Sequence, residues 1–488
     1  MWVVSIIFFY SKSKRGLMNG RIIALILIVA LATRLFMLDA RPMDHDESIH
    51  AYLSFELLTE HRYTYDPAFH GPFLYFSSAG IFALFGDSEF TARLVPVVFS
   101  LVGILAAYGF RRWIGDGVYI FVFLMIFSTS ILYYSRYMRN DMILVGSFLV
   151  VVYCYFRYLE SKKERFIYIA VLFLAIMVTS KENGYIYAFI LSSFILLSGI
   201  YEKKFGYLIE KISKWDVKKL RVIVVSALIF SSIFVSLYTA GFADWEGLER
   251  ATVGAVSHWF TMHEKKDHWK PIYYYAKILL QYEFLPIALA ISSFPYFYRR
   301  FRTKEVSKLE LFSAYWLITS FVIYHILSHK VPWLTVHLVA PLALFGSLYA
   351  ERLIRQKGFR VALTIVAIAT LFVSLHITYV NYNDASEDLI YIQIQPSAVE
   401  LSKEIIHRLE NGEKGAIYEP NNDYWPLPWY LRYYEIPYRS KLLYTYEDFI
   451  VTSERNLDTV KEKGYKPVGR YEIRPGYFMV LMEKSDRM

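Results

Sequence analysis

Apolar runs long enough to cross a bilayer recur through the first 380 residues of this 488-residue chain, and nothing constrains its fold more. A segment inside hydrocarbon has no water to satisfy its backbone. It crosses as a helix of about 20 residues, because the core is roughly 30 Å thick. Runs near 21–39, 91–110, 118–133, 142–158, 165–180, 184–200, 221–240, 273–297, 309–327, 333–350 and 360–380 predict eleven transmembrane helices. With 56% hydrophobic and 20% charged residues, the chain does not alternate as a soluble enzyme of this length would. A twelfth run, "FLYFSSAGIFALF" at 73–85, reaches only about 20 Å as a helix and is expected to lie in the interface of the first outer loop.

The positive-inside rule orients these spans. With the N-terminus in the cytoplasm, the inner segments hold 25 Lys and Arg and the outer loops before residue 381 hold 10. Counting 73–85 as a crossing would invert everything after it and spoil the bias. Residues 1–20 then read as a cytoplasmic leader. Lys12, Lys14, Arg15 and Arg21 precede an uncleaved signal anchor, and translation from Met18 is the alternative start. The single cysteine, Cys154, sits in an apolar run, which excludes an internal disulfide and a thiolate zinc cluster.

Past residue 384 the spans stop and charges rise. "GAIYE", "DFIVTS" and "YFMVLME" read as strands, and "SAVELSKEIIHRLENG" as an amphipathic helix closed by Gly412. The expected organisation is a transmembrane domain over 21–384 and a small extracytoplasmic α/β domain over 385–488, in a multi-pass protein of the plasma membrane.

The concentrated polar motifs all fall on the outer side of this topology: "MDHDESIH" and "FHGPF", then "YYSRYMRND", "SKENG" and "SHKVPW". The inner loops are Lys/Arg runs that topology already explains. One-sided clustering points to a single site at the outer membrane surface. Asp44, Asp46 and Glu47 offer carboxylates as a general base or as ligands for a divalent cation, the metal reading resting on Asp44 and Asp46. Acids also favour helix N-termini, so the same three read as a cap for a helix starting near residue 46. His45 and His50 read as interfacial polar surface first and as metal ligands second. Arg136, Arg139, Lys181 and Lys330 offer cations at headgroup level, where a lipid phosphate would sit. The alternative for the arginines is snorkelling. Arg34, Arg93, Asp141 and Glu283 lie in or at the ends of spans and require partners or a cavity. "NNDYWPLPWYLRYY" reads as an aromatic core ahead of a sugar-stacking surface.

The chain carries neither G-x-G-x-x-G after a strand nor a Walker loop. Energy for an outer-face reaction would arrive in an activated lipid. Nothing calls for nucleic acid as a partner.

The order of these motifs resembles a known family. The "DE" pair followed by "DESIHAYLSFELL", then "HGPF", "ARLVPVVFSLVG", "YYSRYMRNDMIL", "TSKENGYI" and "SHKVPWLTVHLVAPLAL", is similar to the C-type membrane glycosyltransferases. Within these it resembles the dolichyl-phosphate-mannose protein mannosyltransferases and the lipid A aminoarabinose transferases. "DHDESIHA", "HGPF" and "NNDYWPLPWYLRYY" look like an archaeal and bacterial branch of flippase-activity-associated N-glycosylation proteins. The resemblance implies inverting transfer of a sugar from a polyprenyl- or dolichyl-phosphate donor to a glycan, lipid or protein acceptor. It implies Asp46 as base, Glu47 assisting, and Arg136, Lys181 and Lys330 on the lipid phosphate. His70, Arg139, Asp141, Glu182 and His329 complete the expected donor-binding set. Two departures matter: Asp44 makes a D-x-D with Asp46, and "HGPF" has Gly71 where relatives often carry another residue. The competing function is a non-catalytic flippase or flippase accessory. The chain lacks the internal repeat that transporters usually show.

Overall fold

The computed structural model describes residues 20–202, 216–255, 257, 261, 268–443 and 446–485. The leader, its signal-anchor reading and the Met18 start therefore lie outside the described residues. The chain forms two compact units. One runs up to Phe36 and takes in Arg62–Ser77 and Arg93–Val380; the other gathers Met37–His61, Ser78–Ala92 and Asn381–Met488.

The first unit is helical. Among the described residues six helical stretches are long and apolar enough to cross a membrane: Leu94–Phe127, Asp141–Ser161, Asn183–Tyr201, Val217–Tyr238, Lys308–Ile326 and Lys357–Tyr379. The chain is thus a multi-pass membrane protein. Five of these agree with expected spans to within about a turn. The Leu94–Phe127 stretch is interrupted between Gly109 and Val118, where Gly115 takes φ +59°. The expected span at 273–297 is two helices, Tyr274–Tyr282 and Phe284–Arg302, bent by 101°. Arg165–Ser180 and Pro332–Ser347 are apolar but shorter, 16 residues or about 24 Å in the first case. Among the described residues, length and composition by themselves support at least six spans, or seven with the bent pair counted as one, out of the eleven expected.

Small residues let two of these helices meet closely. A Cβ on Gly146 would lie 2.2 Å from the Phe99 carbonyl oxygen, so Asp141–Ser161 packs against Leu94–Gly109 backbone to backbone. The run at 73–85 is a 13-residue helix, as expected, and the chain passes from the first unit to the second within it.

The second unit is built on a five-stranded sheet: β1 (Gly415–Tyr418), β2 (Tyr438–Arg439), β3 (Phe449–Ser453), β4 (Tyr465–Arg474) and β5 (Tyr477–Lys484), in the order β2-β1-β3-β5-β4. β1 is parallel to β2 and β3, and β5 is antiparallel to β3 and β4. The helix Pro396–Glu410 lays Ala398, Leu401 and Ile405 on Ile417, Phe449, Val451 and Met479. Gly412, at φ +84°, ends it in a conformation a side chain would resist. β4 had no clear strand signal, since an edge strand can carry charges that blur the alternation.

The same unit contains the helix His45–Glu60 and the segment 78–92. The aromatic run holds them. Tyr52 meets Trp425, Phe55 meets Tyr433 and Phe82 meets Trp429 at ring separations of 5.7, 5.4 and 6.0 Å. Arg432 lies 3.8 Å over Trp429 and pairs with Asp87, while the Tyr430 hydroxyl donates to Glu89 and accepts from Met43 N. The run is a packing surface, and Trp429 is fully buried.

Candidate active site

The sequence-predicted residues fall into two groups, one in each unit.

In the second unit the three acids divide their work. Asp44 is the N-cap of His45–Glu60: its Oδ1 accepts from Asp46 N at 2.8 Å and Glu47 N at 3.4 Å. The Glu47 carboxylate reaches back to Asp44 N at 3.3 Å, closing a capping box, and its other oxygen takes Arg41 at 2.9 Å. Both acids are fully buried. Asp46 stands apart, with its side chain 23% exposed and its Oδ1 3.1 Å from His45 Nδ1. The capping reading thus accounts for Asp44 and Glu47 and leaves the Asp46 carboxylate outside the cap and partly exposed. His50 is buried in the helix and its carbonyl accepts from Ser54.

In the first unit, loops at helix ends bring together His70, Arg139, Asp141, Lys181 and Glu182. Gly71 makes this approach feasible. Its N–H donates to the Ser180 carbonyl at 3.0 Å, and a Cβ there would lie 2.2 Å from the Thr179 carbonyl oxygen. Gly71 is therefore a packing requirement. Lys181, directly after the helix Arg165–Ser180, sets its ammonium 2.9 and 3.2 Å from the two oxygens of Asp141, at the start of the next helix back. Arg139 Nε lies 3.9 Å from Asp141, and its guanidinium stacks 3.8 Å over Trp333. His70 joins Glu182, through Nδ1 at 3.1 Å, to Arg139 Nη2, through Nε2 at 3.2 Å.

Burial sets the protonation. It lowers the His70 pKa, and the Lys181 charge lowers it further, so the imidazole is neutral. Burial would raise the Glu182 carboxyl, but the His70 hydrogen bond and neighbouring charge outweigh it and hold it low. Burial lowers the Lys181 ammonium against the counter-pull of Asp141. His329 falls to about 3 through burial, the charge of His268 and that of Lys181. His329 also bridges to Trp269, and its ring meets His268 at 5.1 Å. Lys330 is buried, its ammonium donating to the Leu327 carbonyl at the end of Lys308–Ile326, and burial lowers its pKa.

Arg136 does something else. Its Nη1 donates to the carbonyls of Thr33, Arg34 and Phe36 at 3.1, 2.8 and 2.6 Å, and the guanidinium lies 4.7 Å over Tyr379. It caps the C-terminus of the helix Gly20–Leu35. The other span charges find similar partners. Arg34 donates to Ser100 Oγ and to the carbonyls of Met125 and Ile126, and Glu283 accepts from Ser130. Sequence reasoning missed His337, whose Nε2 lies 3.0 Å from Asp141, and Tyr187, 2.8 Å from His337 Nδ1. A lone histidine in the apolar run "LTVHLVAPLAL" was the available signal.

Residues 69–238 match the family model described as dolichyl-phosphate-mannose-protein mannosyltransferase. Among solved structures, ArnT from Cupriavidus metallidurans in the apo state is similar over 95% of this chain and 98% of that one, at 16% identity and a TM-score of 0.69. The chain shares the fold of ArnT, the GT-C fold. The GT-C likeness extends to ArnT bound to undecaprenyl phosphate, with the same identity and coverage and a TM-score of 0.66. A third structure, the S. cerevisiae protein O-mannosyltransferase Pmt1–Pmt2 complex bound to its sugar donor, is similar over 51% of this chain and 36% of that one, at 16% identity and a TM-score of 0.37. No curated protein sequence matches the chain. The matched family segment contains His70, Arg136, Arg139, Asp141, Lys181 and Glu182, and ends before His329, Lys330 and His337.

Asp44 Oδ1 is engaged in the helix cap, and among the described residues no three His, Cys, Asp or Glu side chains are arranged to hold a metal.

Proposed function

We propose that the protein is a glycosyltransferase that moves a sugar from a polyprenyl-phosphate donor to a hydroxyl of a glycan, lipid or protein acceptor at the extracytoplasmic membrane face. The observation that supports this best is the buried set of Arg139 and Lys181, held between Asp141 and Glu182 by side chains from separate loops. Two fixed cations, each with a carboxylate on one side, suit an anion arriving from the other. ArnT, the neighbour with which this chain shares its fold, is known with undecaprenyl phosphate bound, which supports the lipid class.

In this reading the acceptor hydroxyl oxygen attacks the sugar C1 and its proton passes to Asp46. The C1–O bond to phosphate breaks, and polyprenyl phosphate leaves with the electron pair. Arg139, Lys181 and Lys330 offset the charge that grows on the departing phosphate. A single displacement inverts the anomeric centre. Asp46 is preferred over Asp44 and Glu47 because only its carboxylate is left out of the helix cap. The charge distribution supports a cytoplasmic N-terminus, an extracytoplasmic C-terminal unit and a plasma-membrane location. The motif resemblance supports a role in N-glycosylation or cell-surface glycan assembly.

The test is a liposome assay with a defined lipid-linked sugar. Acceptor-dependent release of free polyprenyl phosphate is expected. Movement of the lipid-linked sugar across the bilayer without release would overturn the enzyme in favour of a flippase.

A further inference from the structure

The buried cation set depends on a residue that no motif reading assigns. Asp141 Oδ1 accepts from Lys181 Nζ at 2.9 Å and stands 3.0 Å from His337 Nε2. A carboxylate only accepts, so Nε2 carries the hydrogen. Nδ1 is then the acceptor of the neutral ring, and the Tyr187 hydroxyl, 2.8 Å away, donates to it. The imidazole is stacked on Tyr324 with centroids 5.2 Å apart and planes 6° from parallel. The Tyr324 hydroxyl in turn accepts from Asn183 Nδ2 at 3.1 Å. His337, Asp141, Tyr187 and Tyr324 are all buried.

We infer that His337 is a positioning residue: its Nε2–H fixes the Asp141 carboxylate, and Asp141 in turn fixes the Lys181 ammonium that receives the lipid phosphate. Donor direction is the physical core of the idea. Lys181 and the more distant Arg139, 3.9 Å away, leave the carboxylate freedom to pivot, because an ammonium is a point charge with no preferred plane. A second donor at about a right distance from a rigid ring removes that freedom. The ring is itself held at three places: Nε2 by Asp141, Nδ1 by Tyr187, and its face by Tyr324. Supporting shells of this kind are what keep charged groups within a few tenths of an ångström of working geometry. The inference rests on the cluster being the phosphate site.

Two substitutions separate the positioning role from plain packing. His337→Gln keeps an N–H donor toward Asp141 and loses the aromatic stack. His337→Phe keeps the stack on Tyr324 and loses the donor. Binding of undecaprenyl phosphate to the purified full chain in nanodiscs is measured for each, together with thermal unfolding to show that both fold. The positioning role predicts wild-type-like binding for His337→Gln within about threefold and a loss of roughly tenfold or more for His337→Phe, the scale of a lost supporting contact. The reverse order, equal losses, or no loss in either would overturn it.

A readout without lipid keeps the inference separable from the proposed function. The rate of Lys181 acetylation by acetic anhydride, followed by mass spectrometry, reports how firmly Asp141 holds the ammonium. It should rise severalfold in His337→Phe and stay near wild type in His337→Gln. If wild type fails to bind undecaprenyl phosphate, the phosphate-site reading falls, and the acetylation pattern still decides whether His337 positions Asp141 and Lys181. An unchanged Lys181 rate in His337→Phe would sink the inference by itself.

Discussion

His70 Nε2 lies 3.2 Å from Arg139 Nη2, and because a guanidinium can only donate, the imidazole must accept there and carry its hydrogen on Nδ1, toward Glu182. Glu182, His70 and Arg139 therefore form a directional chain in which a neutral histidine aims an arginine. Arg139→Lys keeps the charge and loses the planar fork that reaches both His70 and the face of Trp333. Undecaprenyl phosphate binding should fall roughly tenfold in Arg139→Lys, a scale set by one charge-assisted hydrogen bond. Wild-type affinity would remove Arg139 from the donor site.

The acid limb of stability follows from the same neutral rings. Burial, with Lys181 nearby, lowers His70, and burial with His268 and Lys181 lowers His329 to about 3. An unfolded histidine titrates near 6.5. As pH drops below about 6.5 the unfolded chain binds protons that the folded chain refuses, so stability falls with pH. The Tm in detergent should decrease from pH 7.5 to pH 5, and His329→Gln should flatten that slope. An identical slope in the variant would show that His329 is not a contributor.

Asp44 and Asp46 should separate cleanly. Asn is a good N-cap, so Asp44→Asn should leave stability near wild type, whereas Asp44→Ala should cost about 1 kcal/mol through the lost cap. Asp46→Asn should leave folding intact and slow sugar transfer by roughly 100-fold or more, the scale of a lost general base. Denaturation curves and the liposome release assay measure the two effects. Full activity in Asp46→Asn would end its assignment as the base.

Gly71→Ala tests the close approach of "HGPF" to the end of Arg165–Ser180. The added methyl would lie 2.2 Å from a backbone oxygen, so one segment must shift. Overpacking of this kind costs about 1–3 kcal/mol. Because His70 is the preceding residue, donor binding should drop with stability. A neutral Gly71→Ala would show that the loop has room to spare.

Arg136 is predicted to matter for folding rather than for donor binding. It closes the carbonyl end of Gly20–Leu35 through three hydrogen bonds. Arg136→Ala should lower the Tm by several degrees and leave undecaprenyl phosphate affinity per folded molecule unchanged. An affinity loss at unchanged Tm would return it to the phosphate site.

What the sequence determined by itself is what local rules govern. Apolar run length placed helices at 141–161, 183–201, 217–238, 308–326 and 357–379, because a bilayer demands a helix of set length. The acid spacing from Asp44 to Glu47 contained the capping box, and short apolar, strand-favouring runs marked β1, β3 and β5. The motif "YSRYMRND" showed that its charges matter without showing how. Arg136 and Arg139 are three residues apart with the same side chain, yet one caps a helix about 100 residues away in sequence and the other meets His70. Asp141 finds Lys181 40 residues on and His337 196 residues on. Those partners were decided by tertiary packing alone. A buried charge must find a counter-charge or a donor, and which one it finds depends on how helices distant in sequence cross, information that no local pattern carries.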